Sequence, residues 1–327
     1  MAKKFHQTSF DLALDLLSII KRSIFNKTGH CPEDYYYIMP VNAYGELVFT
    51  LSQTQHLRQQ AKVCLLLRND RNFLLEFWPQ AADFVIYLTQ EEYDTLFFLE
   101  QISFRSPGWF FLCWADLFAD GRFGSDLVLK NNRLTLKEAY SYALGLDLSV
   151  PILAPQIQNV PAHKADKTVL FVQHAKTYGR IPASFWNVLA QEFHNKGYTI
   201  FIDKIAQEDV LLDPEIPVHY LQKTVPELVR FAKSVNLVVA LRSGMADLIG
   251  ASIGDAPMRM ITLYHITSKF NRTQKEFHHS AGVAQTGLNL ARCFSTDKIS
   301  DIEIMSDNPE QLINEEVRKV SQLALSK

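Results

Sequence analysis

Apolar positions along this chain change their period again and again. Between residues 9 and 25 they recur at helical spacing, through Phe10, Leu12, Leu14, Leu16, Leu17, Ile19, Ile20 and Ile24, with Ser9 placed to cap the start. Tyr35 to Val41 reads as a strand, Asn42-Ala43-Tyr44-Gly45 as a loop, and Glu46 to about Gln59 as a helix. Val63–Leu67, Phe84–Leu88 and Trp109–Cys113 are further strand-like runs. Helices are expected at Arg71–Trp78, stopped by Pro79, and at Glu91–Ile102. Short apolar strands alternating with helices predict a parallel sheet covered on both faces.

The pattern lapses from residue 151 to 166, where Pro151, Pro155 and Pro161 stand among Gln, Asn, His and Lys with no period. It then restarts. Thr168–Gln173 is a strand, and Pro182–Asn195 a helix, with Pro182 suited to the first turn and Gly197 just past the end. Tyr198–Ile202, Leu237–Leu241 and Met260–Tyr264 are strands; Val225–Ser234, Met245–Ser252 and Asn308–Leu325 are helices. The expected fold class is α/β: two doubly wound domains, residues 1–150 and 167–327, joined by a linker at 151–166, with a cleft between them.

Composition narrows the function. The 327 residues suffice for two cores, and 47% hydrophobic with 21% charged residues is ordinary for a globular protein. A net charge of −2 gives no global basic field for nucleic acid. Cys31, Cys64, Cys113 and Cys293 lie far apart with no metal-type spacing, which suits a reducing compartment and so the cytoplasm. Lys3 and Lys4 are followed by Asp11 and Asp15, so the N-terminus reads as neither a signal peptide nor a membrane span. The amphipathic Asp11–Ile24 stretch fits core packing and peripheral contact with the inner face of a membrane equally well.

Ligands of doubly wound sheets sit beyond the carboxyl ends of the strands. Three such ends carry polar residues. Val238–Leu241 breaks at Arg242-Ser243-Gly244 and resumes as a helix, so the amides near Ser243, Gly244 and Met245 suit an anion such as phosphate, with Arg242 adding bidentate capacity. Asp247 reads either as a helix-dipole carboxylate or as an acceptor for a ligand hydroxyl. Gln173 to Arg180 crowds His174, Lys176 and Arg180 into one loop, a basic lining for a diphosphate or a solvated surface loop. In the segment from Asn42 to Leu51, Gly45 permits close backbone approach, and Glu46 could take a proton from a hydroxyl nucleophile or merely complement the helix dipole.

Tyr264 and His265 could wall a pocket, and Lys223-Thr224 could touch a base or ribose; His278-His279 reads as loop surface. No Asp-x-Asp pair occurs, which argues against a divalent metal holding the diphosphate. There is no G-x-G-x-x-G after the first strand, no P-loop and no G-x-S-x-G elbow.

These motifs resemble a family. Gly45-Glu46-Leu47-Val48-Phe49-Thr50-Leu51 is similar to its Gly-Asp-x-x-x-x-Leu segment. Gln173 to Trp186 is similar to its strand, basic loop and Trp-containing helix, and Arg242 to Asp247 to its Asp-(Ser/Thr)-Gly-x-x-His turn. The chain resembles the GT-B glycosyltransferases, above all the heptosyltransferase-like group of glycosyltransferase family 9. Glu46 stands for the family's Asp, Arg242 for its acidic residue and Asp247 for its His. Arg-Ser-Gly-x-x-Asp-Leu also looks like a motif of bacterial capsule and polysaccharide glycosyltransferases.

The resemblance implies two Rossmann-like domains, a closing C-terminal helix and transfer of a sugar from a nucleotide-diphosphate donor. The acceptor would be a glycan or lipid-linked molecule of bacterial lipopolysaccharide or capsule synthesis, with no metal or other cofactor. Glu46 would be the base, and Lys176, Arg180, Arg242, Ser243, Gly244 and Met245 would hold the diphosphate. Asn42, Gly45, His174, Asp247, Tyr264 and His265 would line the substrates. Two alternatives stay open. One is a nucleotide-sugar epimerase or hydrolase using Asp247 and His174; the other is a non-catalytic nucleotide-sugar-binding subunit, favoured by the Arg242 and Asp247 departures.

Overall fold

The structure, a computed structural model, describes residues 2–101, 109–110, 134–162, 167–175, 181–204, 214–254, 256–265, 286–304, 308 and 315–325. The chain divides into two compact units, residues 1–124 with 138–153 and residues 125–137 with 154–327.

In the first unit α1 (Ala2–Thr28) leads into β1 (Tyr35–Ile38), α2 (Tyr44–Leu57), β2 (Lys62–Arg68), β3 (Phe84–Leu88), α3 (Gln90–Gln101) and β4 (Trp109–Phe110). The helix α4 (Leu136–Ala143) follows. All four strands are parallel, in the order β3-β2-β1-β4. Leu17, Ile20 and Ile24 form one stripe of α1 and pack, with Tyr93 and Leu96 of α3, against Tyr35, Tyr37, Cys64 and Leu66 of the sheet. Each such burial contributes about 1.5–3 kcal/mol. Gly29, at φ +66°, ends α1 through its N–H bond to Phe25 O (2.9 Å).

The segment expected as a helix at Arg71–Trp78 is instead a 3-10 helix, Asn69–Glu76. Asn69, Asp70 and Asn72 crowd its start, and such side chains compete with the backbone for helical hydrogen bonds. The expected strand Trp109–Cys113 is seen over its first two residues, and Cys113 lies outside the described residues.

The second unit runs β5 (Thr168–Val172), α5 (Ala183–Asn195), β6 (Thr199–Asp203), β7 (Val218–Leu221), α6 (Val225–Ala232), β8 (Leu237–Leu241) and α7 (Gly244–Ala251). Then come β9 (Arg259–His265), α8 (Leu290–Phe294), β10 (Ile299–Ile304) and α9 (Val317–Leu325). Six parallel strands lie in the order β10-β9-β8-β5-β6-β7. Counted from β5 as the first strand, this is the Rossmann order 3-2-1-4-5-6 read from β7 to β10. Phe185, Trp186, Leu189 and Phe193 of α5, with Val317 and Val320 of α9, seal one face against Val169, Phe171, Val239 and Leu263. On α7, Gly250 lets α8 come close: a β-carbon there would stand 2.9 Å from Phe294 Cε2.

Pro182 is the residue before α5 (φ −56°, ψ 151°) and not part of its first turn. Gly197, at φ +79°, follows the end of α5 as expected. Helices α4 and α8 and strands β7 and β10 have no counterpart among the elements expected from the sequence. Of the expected helix Asn308–Leu325, Val317–Leu325 is seen, and residues 309–314 lie outside the described ones.

Each sheet has a point where its winding reverses. In the first, β1, β2 and β3 step one way and β4 pairs on the other side of β1. In the second, β5, β6 and β7 step one way and β8 pairs on the other side of β5. Loops leaving such strands frame a crevice in which doubly wound proteins bind ligands.

Candidate functional site

At the reversal of the second sheet, β8 ends at Leu241 and α7 begins at Gly244. Arg242 continues the sheet register, its N–H donating to Leu263 O (2.9 Å). Ser243 is extended (φ −159°, ψ 169°) and caps α7: its Oγ accepts from Ala246 N–H at 3.3 Å. Gly244 and Met245 are the first two helical residues, so their N–H groups have no acceptor within the helix and sit at its positive end. This turn therefore offers two amides to an anion.

Arg242 has a partner within the turn that its sequence position does not show. Its Nη1 donates to Asp247 Oδ2 at 2.6 Å, and the two side chains are only 7% and 3% exposed. The same Nη1 lies 3.4 Å from Ser243 O. The pair thus brackets the turn between residues 242 and 247. Burial pushes the Asp247 carboxyl up from its usual range, and the Arg242 charge opposes that rise. One nitrogen of the guanidinium is thus held by Asp247, beside the helix-start amides of Gly244 and Met245.

Tyr264 is wholly buried, and its hydroxyl donates to Asp301 Oδ1 at 2.7 Å. Asp301 also accepts from the N–H groups of Leu290 and Ala291 at the start of α8 (3.3 and 2.9 Å). Burial outweighs these bonds and raises the Asp301 carboxyl from its ordinary value. Tyr264 is thus turned towards β10 and α8, and His265 is buried at the end of β9. His174 lies partly buried just past β5. Lys176 and Arg180 lie outside the described residues, as do His278 and His279.

Gln173 heads the polar segment Gln173–Arg180, in which the sequence gives roles to His174, Lys176 and Arg180 only. It is buried, and neither end of its carboxamide has a partner among the described residues. A polar residue closing the apolar run Thr168–Val172 was the signal for it. Lys223 and Thr224 are accounted for within the unit. The Lys223 ammonium lies 5.5 Å from the centre of the Phe231 ring, and Thr224 heads α6 with its N–H and hydroxyl on Glu227 Oε2 (2.8 Å each).

The reversal of the first sheet carries Asn42 to Glu46. Asn42 N–H donates to Tyr93 Oη (3.0 Å), which in turn donates to Pro40 O (3.0 Å), tying the loop to α3. Ala43 precedes α2 with no side-chain cap; Tyr44, buried Gly45 and partly buried Glu46 are its first three residues. The Arg71 guanidinium sits 4.6 Å from the Tyr44 ring centre, and Phe73 meets the same ring edge-on at 5.9 Å. Arg71 is also paired to Asp70 (2.8 Å). Glu46 thus stands in the first turn of α2, partly buried.

Among the described residues no cluster of three or more His, Cys, Asp or Glu could hold a metal ion, and no helix is long and apolar enough to cross a membrane. No protein-family model and no curated protein sequence matches the chain. Solved structures do match it. E. coli ADP-heptose lipopolysaccharide heptosyltransferase II aligns over 90% of this chain and 100% of its own, at 15% identity and TM-score 0.55. The family 9 glycosyltransferase of Veillonella parvula aligns over 89% and 97%, at 13% identity and TM-score 0.54. E. coli heptosyltransferase WaaC with ADP aligns over 89% and 99%, at 14% identity and TM-score 0.53.

The fold is GT-B. At this identity the likeness is one of architecture: two Rossmann-like units, as the sheet orders of each unit independently require. Both the loop at Glu46, after the first strand of its sheet, and the turn at Ser243, after the fourth strand of its own, lie at a winding reversal.

Proposed function

We propose that the protein is a glycosyltransferase that moves a sugar from a nucleotide-diphosphate donor to a hydroxyl acceptor. The observation that carries this reading is the Ser243-capped turn. It presents two helix-start amides at the winding reversal of a 3-2-1-4-5-6 sheet, in a chain with the heptosyltransferase fold. Those amides receive the diphosphate, and the Arg242–Asp247 pair keeps the turn in shape. Lys176 and Arg180 supply further positive charge in place of a metal, as their sequence position suggests. Glu46 takes the proton of the acceptor hydroxyl as the new bond forms and the nucleoside diphosphate departs.

The acceptor in this reading is a glycan or lipid-linked precursor of bacterial surface polysaccharide. It is met on the cytoplasmic side, where the exposed Leu12, Ile19 and Phe25 of α1 favour contact with a membrane surface.

The test uses a substitution that deletes one amide and spares the helix. Proline is tolerated at the first helical position, and Ser243 already has the extended backbone that a following proline requires. Gly244→Pro is expected to weaken nucleoside diphosphate binding by about 10- to 100-fold, the equivalent of one charge-assisted hydrogen bond of about 1.5–3 kcal/mol. Calorimetry with UDP, GDP, ADP and CMP, and then release of nucleotide from the matching sugars with and without acceptor, reads the outcome. Conversion of a nucleotide sugar without acceptor would make the protein an epimerase or hydrolase. Binding of none of them would remove the donor site altogether.

A further inference from the structure

Gln173 is 4% exposed, and neither its Oε1 nor its Nε2 has a hydrogen-bonding partner among the described residues. Withdrawing a carboxamide from water without replacing its bonds disfavours folding. Methionine or leucine would fill similar space without that penalty. The residue therefore makes physical sense through something that meets it when the protein works.

Its place says what that something is. Gln173 follows Val172, the β5 residue paired with Ala240, and Arg242 stands two residues beyond Ala240, just past the end of β8. Neighbouring strands lie about 4.8 Å apart, so Gln173 and the turn that leads into α7 leave the same end of the sheet from adjacent strands. Gly244 and Met245 present their amides there independently of Gln173. A carboxamide adds a donor and an acceptor side by side. That matches a phosphate oxygen, a sugar or ribose hydroxyl, or a group carrying both.

We propose that Gln173 is a specificity-determining residue that reads the nucleoside diphosphate: Nε2 donates to a phosphate or ribose oxygen and Oε1 accepts from a hydroxyl. This rests on the donor reading above. It adds a residue that offers no charge and whose stability cost is recovered only when ligand is bound.

The test is the sign of two changes in Gln173→Met and Gln173→Leu. Removal of the unpartnered amide is expected to raise the melting temperature of the ligand-free protein, by about 2–4 °C. It is also expected to weaken binding of the wild type's preferred nucleoside diphosphate at least tenfold. Inorganic pyrophosphate distinguishes the source: equal weakening of pyrophosphate assigns Nε2 to phosphate, and weakening of the nucleotide alone assigns the carboxamide to the ribose or base. A lower melting temperature in both variants, or failure of both to fold, would make Gln173 an ordinary structural residue and overturn the proposal. So would unchanged affinity in variants of a wild type that binds nucleotide, and that result leaves the donor reading standing. A wild type that binds no nucleoside diphosphate sinks both.

Discussion

The two winding reversals hold the same kind of turn, finished in opposite ways. At Ser243 the helix is capped by a hydroxyl, and the neighbouring charges are buried against each other, Arg242 on Asp247 at 2.6 Å. At Ala43 the helix has no side-chain cap, and the carboxylate three residues on, Glu46, stays partly exposed. One turn pairs its charges internally and leaves the Gly244 and Met245 amides at the helix start without an acceptor in the helix. The other is tied at Asn42 to Tyr93 of α3 and carries its carboxylate only partly buried. A turn that only has to hold an anion gains from rigidity, whereas a base has to meet differing proton positions along a reaction.

The sharpest way to break this contrast is to exchange the loss of function between the two turns. Glu46→Gln is expected to lower sugar transfer by about 10²- to 10⁴-fold while nucleotide affinity stays near wild type. Steady-state transfer and calorimetry on the same preparation check it; parallel loss of both would make Glu46 a structural carboxylate.

Next in size is the buried pair. Arg242→Met strands Asp247 without its partner and should destabilise the protein by about 3–5 kcal/mol. Adding Asp247→Leu should recover most of that loss. Denaturant midpoints for the two single variants and the double variant give the coupling, and additive effects would show that the pair does not act as a unit.

The caps are smaller effects. Ser243→Ala should cost about 1 kcal/mol, and Ala43→Ser should gain a fraction of that by supplying the missing cap. Thermal melts of the two variants should shift in opposite directions.

The smallest effect concerns pH, and its sign differs between the units. Partial desolvation of the exposed Asp83 alone would raise its carboxyl, but the Arg58 side chain and the Val63 N–H lower it below 3.8. Its contribution is present above 3.8 and lost as pH falls through the folded value. Asp301 is raised above 3.8 by burial, so its contribution is present below 3.8 and lost as pH rises through the folded value. Hydrogen exchange across acid pH should show β2 loosening as pH falls and the start of α8 loosening as pH rises. The same trend in both places would remove the assignment.

Much of this was legible in the order of residues. Apolar runs such as Thr168–Val172 and Leu237–Leu241 are buried on both faces, and a continuous hydrophobic run marks that environment. The edges were harder. Strand β7, Val218–Leu221, carries His219 and Tyr220 at an exposed edge, and β10, Ile299–Ile304, interleaves Ser, Asp and Glu with isoleucine. Neither forms a continuous apolar run. The Arg-Ser-Gly turn could be found in the sequence, but the destination of the Arg242 guanidinium could not. A partner five residues on lies on no simple helical or strand period, and only the folded turn brings it round. The polar end of β5 is visible in the sequence, but nothing there separates Gln173 from its charged neighbours until its burial is known.

Gly250 has a consequence of another kind. With Phe294 seated where a β-carbon would go, the tail of α7 is clasped as firmly as its head. Such a lock is hard to alter one position at a time: a methyl group at 250 asks for a smaller ring at 294 in the same step. Across descendants of this sequence the two positions should change together or not at all, and a lineage with alanine at 250 beside an intact phenylalanine at 294 would show that the helix can slide after all.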